Sequence, residues 1–454
     1  MNVATHRAVL LRHASALRET ATELMDRDDF ATSTPVALAR LLGAAASAIE
    51  ALLRSGAIRE TLFPHAQEVL EHIGDHMRYV ERSRIEHTPW SMIQALERFV
   101  HESAGPDVDF VIRPRWSYMY GVEGDFVRYY RDRLFAGWAS EPAVLEAFAE
   151  SERRLFVLSF PRSERTNALL HANFAHEMGH SVADQWRSAH FQEFWVPVEK
   201  ALRVKLADQY KPQENQGQLF AKEQWLAERT REAQRIADRA LVELIADQVG
   251  YQLLGPASLF AAAEFASRES LDSPPGDAGH YPPWRYRLRM LHERLVADLE
   301  SLNVDNDYGC SRLIKDWAAS LHSTVREAHD ARILRSRTVY QSVYEAIAAS
   351  WEEIRSRALS LVIRPPYSFS VRAGVIGELV ERLRGGLIPN ETGVFPNTSP
   401  AGFDDILNAG WLRVLELRAE LGVEAHHREE HVRRLTLMGI ETAEIHRRFI
   451  ELQQ

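Results

Sequence analysis

Leu169-Leu170-His171-Ala172-Asn173-Phe174-Ala175-His176-Glu177-Met178-Gly179-His180-Ser181-Val182-Ala183 is the stretch on which the fold turns. It is a largely apolar helical segment, and His176 and His180 sit one turn apart, so both imidazoles project from one face and can reach a single cation. Glu177 follows the first histidine. There it can take a proton from a cation-activated water without serving as a ligand. A chance H-E-x-x-H falls more often on a solvated, charged helix, whereas Phe174, Ala175, Met178 and Val182 flank this one. Buried imidazole and carboxylate groups are costly unless paired or metal-bound. The competing reading is a pair of hydrogen-bonded core histidines.

A second motif, His427-Arg428-Glu429-Glu430-His431, fits the inverted form H-x-x-E-H. Its neighbours Glu424, His426, Arg433 and Arg434 mark a solvated helix face, and too little chain follows to supply a distant carboxylate ligand. It reads as an ordinary surface helix.

A catalytic zinc takes three protein ligands and keeps one position for water. Ala183 and Trp186 occupy the places where a three-histidine extension would need Gly and His, and the spacing of His190 does not recommend it. Glu243, within Ala240-Leu241-Val242-Glu243-Leu244-Ile245-Ala246-Asp247-Gln248-Val249-Gly250-Tyr251, is the better candidate, and Asp247 shares its face one turn later. The alternative for this pair is salt bridging to Arg235 or Arg239 on the same helix.

These residues resemble the gluzincin branch of zinc metallopeptidases, H-E-x-x-H followed by E-x-x-x-D on a later helix. The resemblance implies Zn2+ held by His176, His180 and Glu243, with Glu177 as general base. It implies that Asp247 orients a ligand histidine through its other ring nitrogen. Further on, His280-Tyr281-Pro282-Pro283-Trp284-Arg285-Tyr286-Arg287 is similar to the H-P-x-x-x-x-R segment of CAAX prenyl-protease-like gluzincins. By that likeness His280 helps stabilise the oxyanion and Arg287 holds the ligand glutamate. Tyr281 is an extra residue against the pattern, so Arg285 competes with Arg287, and Tyr281 or Tyr286 can stand in as oxyanion donor. The other reading is a helix-entry loop stiffened by two prolines. The likeness covers roughly residues 155 to 290 and does not extend to membrane embedding or prenylated substrates.

The chain has 454 residues, 45% hydrophobic and 26% charged, the balance of an ordinary globular protein. Its net charge of −10 argues against non-specific nucleic-acid binding. A single cysteine, Cys310, excludes an intrachain disulfide and reads as a packed thiol, which fits a reducing compartment and a cytoplasmic location. No apolar run is read as long enough to span a membrane, and the start lacks a secretory signal. The sequons at Asn390 and Asn397 therefore carry little weight. The expected partner is a peptide or protein substrate; nothing here bears on oligomeric state.

Most of the chain carries the 3.6-residue period. The expected fold is mostly α with a small β element: a zincin-like catalytic core (106–300) between an N-terminal helical region (1–105) and a C-terminal one (301–454). Breaks fall at Thr34-Pro35, Phe63-Pro64 and Arg364-Pro365-Pro366, and a loop runs from Gly385 to Pro400. Residues 108–112 and 116–120 read as β-like, 123–137 and 141–152 as helices, and 155–160 as a short strand. That strand is either an edge along which an extended substrate pairs, as in gluzincins, or a plain core strand. Lys211–Gln218 reads as an inserted surface loop. Terminal helices start near Asp404 and Ala425, and Ile406–Trp411 reads as core. The function expected is hydrolysis of peptide bonds by metal-activated water. The alternatives are a binding or regulatory protein with a vestigial or structural zinc site, and a zinc hydrolase of non-peptide amides or esters.

Overall fold

The computed structural model describes residues 3–88, 90–149, 153–210, 218–272, 280–300, 309–330, 338–394, 397–420 and 423–453. It is mostly α with a small β element. The chain forms two compact units, residues 1–168 with 440–454, and residues 169–439. These are drawn differently from the three regions read from the sequence. The strand after residue 105 packs onto helices before it, and the helices either side of residue 300 pack together.

In the first unit, α1 (Val3–Met25), α2 (Thr34–Ser55) and α3 (Phe63–Arg82) pack on one another. The breaks read at Thr34-Pro35 and Phe63-Pro64 are helix starts with proline in the first turn, where its missing N–H costs nothing. Gly56, with φ of 79°, ends α2 in the left-handed conformation that favours glycine. One sequence expectation is corrected here. α2 is long and apolar enough to cross a membrane by length and composition, but most of that window is buried inside the fold. Leu38, Leu42, Ala45, Ile49 and Leu53 are its core residues, each fully buried.

α4 (Trp90–Ala104) leads into β1 (Val108–Arg115), and β2 (Gly121–Glu123) and β3 (Arg154–Pro161) complete a sheet of order β1-β3-β2. β3 is the central strand, parallel to β1 along its whole length and antiparallel to β2 at Val157–Ser159. Of the two readings of 155–160, substrate edge or core strand, the pairing favours the core strand, with β1 along its whole length on one side and β2 at Val157–Ser159 on the other. The near-continuous apolar run Leu155–Phe160 is what a strand buried on both faces requires. Trp116–Tyr120 forms no strand, and Trp116 is 78% exposed. The helix expected over 123–137 is broken into α5 (Phe126–Arg128), a π-turn (Tyr129–Leu134) and a 3-10 turn (Ala136–Trp138), followed by α6 (Pro142–Phe148).

The second unit opens with α7 (Asn173–Ala207), α8 (Gln218–Leu254), α9 (Pro256–Ala266) and α10 (Trp284–Glu300). It continues through α11 (Cys310–Thr324), α12 (Thr338–Leu359), α13 (Phe369–Arg384), α14 (Phe403–Ala419) and α15 (Val423–Gln453), whose last residues belong to the first unit. The inserted loop at 211–217 lies outside the described residues. The double proline at 365–366 separates α12 from α13, and the loop after α13 holds a two-stranded ribbon, β4 (Glu391–Thr392) with β5 (Ser399–Pro400). Ile406–Trp411 is core, as read: Trp411 is buried and its indole N–H donates to the Leu169 carbonyl at 3.0 Å.

Candidate metal centre

Three helices of the second unit build the site. α7 supplies His176, Glu177 and His180, α8 supplies Glu243 and Asp247, and α10 supplies Arg287. α7 and α8 run antiparallel and unusually close. A Cβ added at Gly179 would stand 2.7 Å from the Ala246 Cα and carbonyl oxygen, and one at Gly250 would stand 3.1 Å from the His176 nitrogen. Only glycine permits that approach. It brings Glu243, from the middle of one long helix, within 3.5 Å of His176 on the other.

The ligand atoms of His176, Glu177 and His180 lie within 4.8 Å of one another. His176 Nδ1 donates to Asp247 Oδ1 at 2.8 Å, which leaves Nε2 facing Glu243 Oε2 at 3.5 Å. That separation suits an imidazole–carboxylate ion pair and equally the roughly 3.4 Å between two donors on one tetrahedral zinc. His180 Nε2 lies 3.8 Å from Glu177 Oε2. The carboxylate beneath His176 fixes its tautomer and ring direction, as carboxylates behind metal-ligating histidines do.

Arg287 is 4% exposed, and its guanidinium grips Asp247 in a fork, with Nε to Oδ2 at 2.8 Å and the terminal nitrogen to Oδ1 at 2.7 Å. It also reaches Glu243 Oε2 at 3.2 Å. The choice the sequence left open between Arg285 and Arg287 is answered by these contacts, because Arg285 pairs with Asp272 instead. Tyr286 is buried with its ring against that of Tyr344. Tyr281 packs its ring on the Arg239 guanidinium, 3.9 Å from Cζ to centroid, and Arg239 stands 4.0 Å from Glu243. His280 has a buried Nδ1 without a hydrogen-bond partner among the described residues, and no bond there joins it to the cluster.

Charge decides what the cluster can hold. Glu177, Glu243 and Asp247 are buried carboxylates, and Arg287 is the buried cation among them, a surplus of two negative charges when both imidazoles are neutral. A divalent cation balances that surplus, and two imidazoles with a carboxylate are a donor set that zinc accepts. Without a cation the cluster must take up a proton. Burial opposes charge on His176, but Asp247 and Glu243 overcome it and raise its pKa to about 10. Burial and then the charge on His176 push His180 down to about 4. Burial works to raise Glu243 and Asp247, yet Arg287 and His176 hold both below the usual carboxylate range.

Sequence reasoning missed two contributors. Trp284 lies under the Arg287 guanidinium at 4.1 Å, and Gly179 admits the neighbouring helix. The glycine inside H-E-x-x-H was a signal available to the eye. The inverted motif is a surface feature, as read: His427, Glu430 and His431 are exposed, and Glu429 pairs with Arg418 and Arg433. Cys310 is buried and free of disulfides. No protein-family model, curated protein or solved structure matches this chain.

Proposed function

We propose that the chain is a zinc-dependent hydrolase of peptide bonds, with zinc held by His176, His180 and Glu243. The observation that carries this reading is the buried surplus of two negative charges around paired imidazoles, set beside a glutamate placed to act as base. A bound zinc ion supplies Lewis acidity and brings the pKa of a water down to about 7. The protein's own groups do the rest. Glu177 accepts the proton of the attacking water and returns it to the leaving amine. Asp247 keeps His176 in the tautomer that presents Nε2, and Arg287 fixes Asp247 and Glu243 against the recoil of charge during turnover. Oxyanion donation falls to Tyr281 or His280 at the entry to α10.

A second reading, hydrolysis of a non-peptide amide or ester, draws on one finding: β3, read as a possible substrate edge, is paired by β1 along its length and by β2 at Val157–Ser159. The experiment that separates these readings compares wild type with Glu177→Gln. The variant keeps one zinc per chain by elemental analysis and loses cleavage in N-terminal profiling of expressing cells. Zinc-free material from metal-replete growth, or unchanged cleavage by the variant, ends the proposal. A profile with no new N-termini, while activity on amides or esters depends on Glu177, moves it to the second reading.

A further inference from the structure

We propose that Arg239 is the recognition point for a substrate carboxylate, so that the enzyme takes peptides presenting a free acid close to the scissile bond. This rests on the peptidase reading above. Arg239 stands one turn before Glu243 on α8, and 43% of its side chain is exposed against 5% for Arg287. The two arginines therefore bracket Glu243 from opposite environments, one in the core and one at the solvent side. Among the described residues Glu243 is the carboxylate within reach of Arg239, at 4.0 Å, and it is already engaged by His176 at 3.5 Å and Arg287 at 3.2 Å.

Other cations nearby have partners of their own. Arg187 pairs with Asp184 at 3.1 Å and Asp238 at 3.6 Å, and Arg285 pairs with Asp272 at 2.5 Å. Arg239 has instead an aromatic support. The Tyr281 ring covers one face of its guanidinium, and among the described residues its in-plane N–H donors meet only Glu243, at 4.0 Å, so the edge that grips a carboxylate in a two-pronged contact stays available. With the buried charges balanced by a divalent ion, Arg239 remains as a solvent-side cation that a substrate carboxylate can pair with.

The carboxylate comes from one of two sources, a peptide C-terminus or an Asp or Glu side chain, and the test separates them. Full-length Glu177→Gln protein, loaded with zinc, is titrated calorimetrically with three forms of one peptide. The first has a free C-terminus and an internal Glu, the second is amidated at the C-terminus, and the third carries Gln for Glu. Removing the recognised carboxylate weakens binding by about tenfold or more, the ordinary scale of a charge-assisted bond, while removing the other changes little. Adding Arg239→Gln erases the difference and Arg239→Lys keeps part of it, with zinc content unchanged in both. In the active enzyme the same loss falls on KM rather than kcat. Three peptides that bind alike overturn the proposal, as does a preference that survives Arg239→Gln. Loss of zinc in Arg239→Gln, or an equal drop in kcat on all three peptides, overturns it too. Cleavage without carboxylate preference sinks this proposal alone; no binding and no cleavage of any peptide sinks the peptidase reading with it.

Discussion

On the proposed zinc reading, His176 carries the linkage between metal and proton. Its folded pKa of about 10 lies above the unfolded value near 6.5, so in metal-stripped protein the charged ring adds stability that is complete below pH 6.5 and disappears as pH rises through 10. Zinc ligation needs the neutral ring. At pH 8, zinc binding should therefore expel about two protons per chain, one from the His176 ring and close to one from a bound water whose pKa falls to about 7, measurable as a dependence of the calorimetric enthalpy on the buffer's ionisation heat. Release of about one proton or fewer would mean that His176 is neutral and that Asp247 does not hold it as the geometry says. Arg287 makes the second prediction at this scale. Arg287→Met leaves Asp247 and Glu243 buried without their cation, and should cost about 3–5 kcal/mol by denaturant unfolding. Spacing along one helix made His176, Glu177 and His180 legible on α7 and Glu243 with Asp247 on α8, while the meeting of the two helices was only implied by the family resemblance. Arg239 and Trp284 act across helices, and no spacing rule reports that.

Gly179 and Gly74 show why a helix can be read from sequence while its closeness to a neighbour cannot. Both sit inside helices, where glycine usually costs stability relative to alanine. A Cβ at Gly74 meets Leu17 Cδ2 at 3.6 Å, an ordinary contact, whereas at Gly179 it meets Ala246 backbone at 2.7 Å. Gly74→Ala should raise stability by about 0.5–1 kcal/mol by removing unfolded-state freedom. Gly179→Ala should lower it by about 1–3 kcal/mol and weaken zinc affinity, because α7 and α8 must part and carry Glu243 away from His176. Equal effects at the two sites in thermal unfolding and zinc titration would show that close helix approach does not set the site. The same division explains the rest of the elements. The 3.6-residue period and the proline starts at 35 and 64 locate helices, but 126–138 breaks into three kinds of turn and 116–120 stays out of the sheet. Aromatic and branched residues there satisfy β propensity, yet a strand needs a partner, and β3 is already paired on both sides.

Each compact unit has its own apolar core, and that bears on what metal removal does. The core of α1, α2, α3 and the sheet contains Leu42, Ile49, Leu70, Ile73, Val111 and Val157, and no residue of the metal cluster. The cluster instead ties α7, α8 and α10 within residues 169–439, where buried charge is balanced only when a cation or a proton is present. Ligand that binds the folded state alone stabilises it by mass action, about 2.7 kcal/mol at one hundred times Kd. Stripping zinc should therefore leave the two cores unequally affected. Hydrogen exchange of amides around 176–180, 243–247 and 287 should quicken on chelation and slow again on zinc addition. Amides of α2 and α3 should change far less, because their protection comes from leucine and alanine packing that contains no ligand. Local opening reports the stability of the segment that opens, so the contrast is readable residue by residue. Uniform acceleration across both cores would mean that the ion supports the folding of the whole chain. No change at 176–180 would mean that the histidines are satisfied by Asp247 and Glu243 alone, as the competing reading of the motif holds.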